Sequence, residues 1–172
     1  MDLASKIRDV VDFPKPGIVF KDITTLIKDP EAFRYMIDSL CERYKATDVD
    51  LVVGVESRGF ILGAPLAYLL DAGFIPVRKV GKLPAATVQA EYSLEYGTAA
   101  VEMHKDAILQ GQRVLVVDDL LATGGTAAAT VQLIESLGGK VVGVAFLVEL
   151  SFLKGRELLG DHDVFTMIQY DA

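Results

Sequence analysis

The chain has 172 residues, 51% of them hydrophobic, with one cysteine and a formal net charge of −7. This length predicts a single domain with a sizeable core. The sequence contains no uninterrupted run of about 18 apolar residues, so it predicts no membrane-spanning helix. The acidic balance argues against a general nucleic-acid-binding protein, because phosphate contacts need a basic surface, and a lone cysteine allows no internal disulfide, which favours a reducing cytoplasm.

The N-terminal quarter is predicted to contain two helices and a short strand. It begins without the charged-then-apolar order of a signal peptide, which agrees with a cytoplasmic location. Residues 3–11 have helical spacing, residues 18–20 form a strand-like run, and residues 21–28 have no regular pattern. Asp29 and Pro30 then mark a helix start, as N-cap and first helical residue. We expect the apolar face of that helix to consist of Phe33, Ile37, Leu40 and Tyr44.

The rest of the chain alternates strand patterns with helical patterns. Residues 83–94 have no clear period and predict a long loop, of the kind that often forms a functional lid. Helical patterns lie at residues 60–70 and 127–137, and a shorter one at 149–159. Continuous apolar runs predict buried strands at 50–55, 74–78, 113–118 and 140–148; a strand at an edge of the sheet is predicted at 98–103 and a last strand at 164–168.

This alternation predicts an α/β fold, in which βαβ units build a mostly parallel central sheet flanked by helices. Ligands in such folds bind beyond the carboxyl ends of the strands. Three charged clusters fall at those ends, namely Glu56-Ser57-Arg58, Arg78-Lys79 and Asp118-Asp119. We therefore expect the three clusters to meet in one crevice.

The segment VLVVDDLLATGGT, at residues 114–126, predicts a binding site for a sugar phosphate. A buried strand leads into Asp118 and Asp119, and a Thr-Gly-Gly-Thr turn then leads into an Ala-rich helix. Backbone N–H groups at a helix start attract a phosphate, whereas two carboxylates would repel it and are better matched by sugar hydroxyl groups. The turn is not a Walker loop, because no lysine follows the glycines in that pattern.

The same segment resembles the phosphoribosyl pyrophosphate signature of the type I phosphoribosyltransferases. The resemblance runs over nearly the whole chain and is strongest to the adenine-specific members of that family. Residues 13–22 resemble the family's base-binding hood, residues 56–60 its pyrophosphate loop, and residues 148–157 its C-terminal part. The resemblance implies one phosphoribosyltransferase domain over residues 1–172, with a small hood at about 1–30 and a mobile catalytic loop at about 83–96.

The resemblance also implies a reaction. Adenine and 5-phosphoribosyl 1-pyrophosphate (PRPP) would give AMP and pyrophosphate through an oxocarbenium-like transition state, as a step of purine salvage. Mg²⁺ would be the cofactor, held mainly by PRPP and water and without direct protein ligands, since no His, Cys or Asp spacing predicts a metal cage. A homodimer is expected, with Arg78 near the partner's site, and neither nucleic acid nor a membrane is an expected partner.

The family's functional residues carry over to this chain position by position. Glu95 would manage the purine N7 proton, Tyr96 would help to close the loop, and Arg58 would stabilise developing charge. The family also implies a cis peptide bond between Glu56 and Ser57. The ribose and its 5′-phosphate would meet Asp118, Asp119, Ala122, Thr123, Gly124, Gly125 and Thr126; pyrophosphate would meet Glu56, Ser57, Arg58, Arg78, Lys79 and Lys82; adenine would meet Val19, Phe20, Lys21 and Leu120.

Two other functions remain open at this point. The first is a related enzyme that acts on a 6-oxopurine. Such relatives typically carry Asp where this chain has Ala122, and often Lys where it has Gly125, and the absence of both favours adenine. A non-catalytic regulator could keep the sugar-phosphate site and bind RNA or DNA instead. The acidic chain and the presence of Glu95 and Tyr96 argue against that regulator.

Overall fold

A seven-stranded sheet is the centre of the fold in the computed structural model, which describes residues 1–94 and 96–172. Its strand order is β5-β6-β4-β3-β7-β8-β9, and a separate antiparallel pair, β1-β2, lies outside it. The strands are β1 Arg8–Val11, β2 Val19–Asp22, β3 Leu51–Val55, β4 Gly73–Lys79, β5 Thr87–Ser93, β6 Thr98–His104, β7 Arg113–Leu121, β8 Lys140–Leu150 and β9 Val164–Tyr170. The helices are α1 Thr24–Ile27, α2 Pro30–Tyr44, α3 Arg58–Leu69 and α4 Gly125–Ser136, with 3₁₀ turns at Ala4–Lys6, Ser151–Leu153 and Gly155–Leu159.

The sheet is mostly parallel, as the sequence predicts. Strands β4, β3, β7, β8 and β9 run parallel to one another, while β6 and β5 are added antiparallel at one side. Helices cover both faces, because α4 belongs to one hydrophobic cluster and α2 and α3 belong to the other. Neighbouring strand residues alternate between the clusters, with Val53 on the α4 side and Val52 on the other. Every residue of β3 is buried, which explains its uninterrupted apolar pattern.

The start of α2 follows the predicted capping chemistry. The Asp29 side chain accepts hydrogen bonds from the backbone N–H groups of Glu31 and Ala32, at 3.0 and 3.3 Å, and Pro30 is the first helical residue. Among the predicted face residues, Ile37, Leu40 and Tyr44 are buried. No helix among the described residues combines the length and apolar character needed to cross a membrane.

The first predicted helix is wrong. Residues 3–11 form a 3₁₀ turn and strand β1, whose Val11 lies opposite Val19 of β2. Most of β1 is exposed, so its apolar spacing does not reflect a buried helix face, and an ion pair between Arg8 and Asp22 joins the strands instead. Residues 21–28, predicted to be irregular, contain the end of β2 and the short helix α1.

The predicted loop at 83–94 is also wrong in its conformation. Residues Thr87–Ser93 form β5, which pairs along its whole length with β6 and forms the edge of the sheet, so β6 is not an edge strand. The period of a strand is present, because Val88, Ala90 and Tyr92 alternate with polar residues, but Pro84 and the small residues after it favour a loop when the segment is considered alone. The predicted short helix at 149–159 is replaced by the end of β8 and two 3₁₀ turns. Strand β7 continues to Leu121, so the acidic pair lies within the strand and not at its end.

Candidate active site

A cavity of about 470 Å³ lies at the carboxyl ends of the central parallel strands. Segments that follow or end β3, β4 and β7 form its wall, as expected for this fold class. The three charged clusters that the sequence placed at strand ends therefore meet in one cavity. The predicted ribose-phosphate and pyrophosphate residues that line it are Glu56, Ser57, Arg58, Arg78, Lys79, Lys82, Asp118, Asp119, Ala122, Thr123, Gly124, Gly125 and Thr126.

The turn between β7 and α4 presents the start of a helix to the cavity. Gly124 precedes α4 with a φ of +88°, and a Cβ at this position would overlap the carbonyl oxygen of Gly155. No side chain among the described residues caps the first N–H groups of α4. Uncapped N–H groups and the positive end of a twelve-residue helix make this turn suited to an anion.

The acidic pair beside that turn consists of two carboxylates in different environments. An Asp118 side-chain oxygen accepts the backbone N–H of Asp119 at 2.8 Å. Burial, and secondly the charge of Asp119, raise the pKa of Asp118 well above its usual value. The Asp119 side chain is buried and accepts from Nε of Arg58 at 2.5 Å. Asp118 thus lacks a cationic partner at hydrogen-bond distance among the described residues, and hydroxyl donors would stabilise its ionised form.

A basic corner of the cavity is built around Glu56. One oxygen of its carboxylate accepts from Arg78 Nη2 at 3.0 Å and from Lys82 Nζ at 3.1 Å. The other oxygen accepts the backbone N–H of Lys79 at 3.2 Å. The hydrogen bond from Arg78, followed by that from Lys82, lowers the pKa of Glu56 to about 2. An incoming polyanion would compete with Glu56 for the side chains of Arg78 and Lys82. The peptide bond from Glu56 to Ser57 is cis, as the resemblance implies.

The predicted adenine residues are placed unevenly. Leu120 lines the cavity, whereas Val19, Phe20 and Lys21, all in β2, do not. The Phe20 ring nevertheless lies 5.8 Å from the guanidinium carbon of Arg58, which does line the cavity. The Lys21 side chain pairs with Asp9 at 2.8 Å and so is engaged within the hood.

Of the two catalytic residues predicted in the loop, the structure describes only Tyr96. Glu95, the predicted proton-handling residue, lies outside the described residues. Tyr96 is 85% exposed and does not line the cavity.

Sequence reasoning missed the aromatic side chain of Tyr92, which lines the cavity from β5. A Cβ at Gly125 would approach its Cδ2 atom to 3.0 Å, so the ring fills space that a larger residue at 125 would need. The predicted loop conformation gives Tyr92 no defined direction, although Val88, Ala90 and Tyr92 alternate with polar residues in the pattern of a strand. The apolar remainder of the wall is Val55, Val77, Val101, Leu121, Ala127 and Phe146.

No group of three or more His, Cys, Asp or Glu side chains in the described part of the chain is placed to hold a metal ion. The two histidines lie elsewhere: His104 accepts from the backbone N–H of Ala85, and His162 lies 3.4 Å from Glu135. The donors of the basic corner suit an anionic ligand.

Known proteins resemble this chain over almost its full length. A family model described as a phosphoribosyl transferase domain matches residues 26–169. The adenine phosphoribosyltransferase of Clostridium tetani is 58% identical over 171 residues, covering 99% of each chain. The crystal structure of the adenine phosphoribosyltransferase from Thermoanaerobacter pseudethanolicus superposes with a TM-score of 0.95 at 54% identity, covering 98% of each chain. The Saccharomyces cerevisiae enzyme, complexed with an imino-altritol bisphosphate and adenine, superposes with a TM-score of 0.93 at 40% identity, covering 96% of each chain.

Proposed function

The chain belongs to the adenine phosphoribosyltransferases, and from this membership we propose how its cavity converts adenine and PRPP into AMP and pyrophosphate. The observation that carries the proposal is the arrangement of the cavity wall. A helix start and a basic corner, both suited to anions, lie in one cavity with the acidic pair Asp118 and Asp119. PRPP has the matching order of groups: a 5′-phosphate, two ribose hydroxyls and a pyrophosphate.

The turn at residues 122–126 holds the 5′-phosphate in this proposal. Its uncapped N–H groups point from the start of α4, and Thr123 and Thr126 add hydroxyl donors. Asp118 and Asp119 accept from the ribose 2′- and 3′-hydroxyls. Binding thereby supplies Asp118 with donors, and the two carboxylates place negative charge near the cation that develops at C1′.

The basic corner holds the leaving pyrophosphate. Arg78 and Lys82 exchange part of their contact with Glu56 for phosphate oxygens, while Lys79 and Arg58 add positive charge to the same wall. These donors fit a diphosphate that brings its own Mg²⁺, which when bound neutralises charge on the leaving group. Mg²⁺ would be held mainly by the phosphates of the substrate and by water, without a direct protein ligand.

The hood, at about residues 1–30, holds adenine. Phe20 stacks on the ring, the Val19 carbonyl accepts from the 6-amino group, the Lys21 N–H donates to N1, and Leu120 covers the other face. The short distance from Phe20 to Arg58 supports this placement, because it brings the hood next to the cavity. Adenine has no charge, so an apolar hood with backbone donors and acceptors suits it.

The segment at about residues 83–96 acts as a mobile lid, which excludes water from the reacting C1′. Glu95 manages the N7 proton as N9 attacks, and Tyr96 helps to close the lid. The 85% exposure of Tyr96 supports a role that begins only when a ligand is bound.

A homodimer completes the proposal, with Arg78 near the partner's site. The outer face of α3 supports it: Ile61, Tyr68 and Leu69 are 38%, 85% and 46% exposed. Such a row of large apolar side chains along one helix is typical of an interface. A cytoplasmic location agrees with the single cysteine, Cys41.

The test is the choice among purine bases. Purified protein with PRPP and Mg²⁺ should form a nucleotide from adenine and not from hypoxanthine or guanine, as followed by ultraviolet absorbance. A preference for hypoxanthine or guanine would mean that the base site has been misassigned. Formation of no nucleotide from any of the three would contradict the proposed function altogether.

A further inference from the structure

Glu102, on β6, is a buried carboxylate outside the cavity wall. It is only 2% exposed, yet it accepts four hydrogen bonds. One of its oxygens accepts the backbone N–H groups of Gly81, Lys82 and Leu83, at 3.2, 3.2 and 3.0 Å. The other accepts from the Thr87 hydroxyl at 3.2 Å.

These contacts keep the buried side chain ionised. The hydrogen bond from the Leu83 N–H is the largest influence, and with the Thr87, Lys82 and Gly81 donors it outweighs burial, so the pKa of Glu102 lies below its usual value. Three N–H groups converging on one charged oxygen form a stronger anchor than neutral hydrogen bonds would. The ionised carboxylate of Glu102 therefore anchors the turn at residues 81–83 to β6.

The anchored turn carries part of the basic corner. Lys82 reaches Glu56 from this turn, and its own carbonyl accepts from Arg78 Nη1 at 3.4 Å. Arg78 in turn lies opposite Glu102 in the pairing of β4 with β6, a pairing that spans only two residue pairs. Glu102 thus fixes the place where β4 ends and the turn begins, which is where Arg78 and Lys82 converge.

We propose that Glu102 is a positioning residue for the pyrophosphate subsite, which holds the turn at 81–83 so that Lys82 and Arg78 meet one ligand. It acts through these two residues and touches no substrate itself. The inference rests on the proposed function for the identity of the natural ligand, but the binding of inorganic pyrophosphate tests it independently.

The experiment compares two ligands by calorimetry. Inorganic pyrophosphate with Mg²⁺ reports the basic corner, and AMP reports the phosphate turn and hood. Glu102→Ala should weaken pyrophosphate binding about tenfold, the size of one lost charge-assisted hydrogen bond, and leave AMP binding within about twofold. Glu102→Gln, which keeps one acceptor oxygen, should weaken pyrophosphate binding about threefold. Glu42→Gln, on α2, where the side chain is 69% exposed and does not line the cavity, is the matched control and should change neither.

A thermal melt shows whether each variant is folded; if Glu102→Ala is not, the Gln variant decides. If the affinities for pyrophosphate and AMP fall equally, Glu102 only supports the fold and the proposal is wrong. Unchanged pyrophosphate binding would also overturn the proposal. In a Lys82→Ala background, either Glu102 change should reduce pyrophosphate affinity by a smaller factor than in the wild type, because part of the effect of Glu102 is exerted through Lys82. Additive effects would contradict that. If the wild type binds pyrophosphate but makes no AMP, the proposed function fails while the role of Glu102 stands.

Discussion

Asp118 is the residue at which stability and ligand binding oppose each other most directly. It is desolvated beside Asp119, and its pKa is raised well above the ordinary value of 3.8. The folded state therefore holds this proton more tightly than the unfolded state does. Its contribution to stability is fully present below the ordinary value and is lost as the pH rises through the raised one, so ionisation of Asp118 destabilises the unliganded fold.

Asp118→Asn should accordingly stabilise the unliganded protein at pH 7.5. The carboxamide oxygen can still accept the Asp119 N–H, and each kcal/mol gained raises Tm by about 2–4 °C in a protein of this size. The gain should shrink near pH 4, while the KM for PRPP rises about tenfold or more because hydroxyl recognition weakens. Scanning calorimetry at the two pH values and steady-state kinetics check both effects; a lower Tm at pH 7.5 would contradict the assigned burial effect.

At the scale of elements, the β7–α4 turn depends on how closely it packs against the C-terminal 3₁₀ segment. Gly124→Ala adds a Cβ where φ is +88° and where Gly155 backbone occupies the space. Gly111→Ala is the matched control: its φ is +84°, but no described atom lies within 4 Å of the added Cβ.

Gly111→Ala should lower the free energy of unfolding by about 1–2 kcal/mol, because alanine is disfavoured in the left-handed conformation. Gly124→Ala should cost clearly more and should abolish detectable use of PRPP, because the phosphate turn must move. Chemical denaturation and initial-rate assays give the two quantities. Equal stability losses in the two variants would show that contact with Gly155 does not shape the turn.

How far the sequence predicts these elements depends on how local their determinants are. Strands β3 and β7 are buried on both faces and were predictable from their own residues, as was the capped start of α2. Strand β1 was not, because most of its side chains are exposed, and in β5 only Ala90 is fully buried. Pairing with a distant segment defines them, and a single sequence does not display such pairing.

The residues of the site likewise differ in how local their determinants are. The phosphate turn and the acidic pair are contiguous, so residues 118–126 predict them directly. Glu102 and Tyr92 act through contacts between separate elements, with the turn after β4 and with Gly125. No local pattern marks Glu102, and the strand alternation that includes Tyr92 does not show that its side chain faces the cavity.

At the scale of the whole molecule, the exposed face of α3 predicts association of two copies. Tyr68→Glu would place a charge on that face, at the residue of α3 that is 85% exposed. The variant should be monomeric by light scattering at micromolar concentration, whereas the wild type should be dimeric. Tyr35→Glu, at a 42% exposed position on α2, is the control and should stay dimeric. A monomeric wild type would contradict the proposed dimer.

A crystal structure with AMP, pyrophosphate and Mg²⁺ bound tests the assignment of the cavity most directly. The expected result places the 5′-phosphate on the N–H groups at the start of α4 and the ribose hydroxyls on Asp118 and Asp119. Pyrophosphate should lie on Arg78 and Lys82, and adenine should lie against Phe20. AMP bound with its phosphate in the basic corner, or with its base outside the hood, would contradict the assignment.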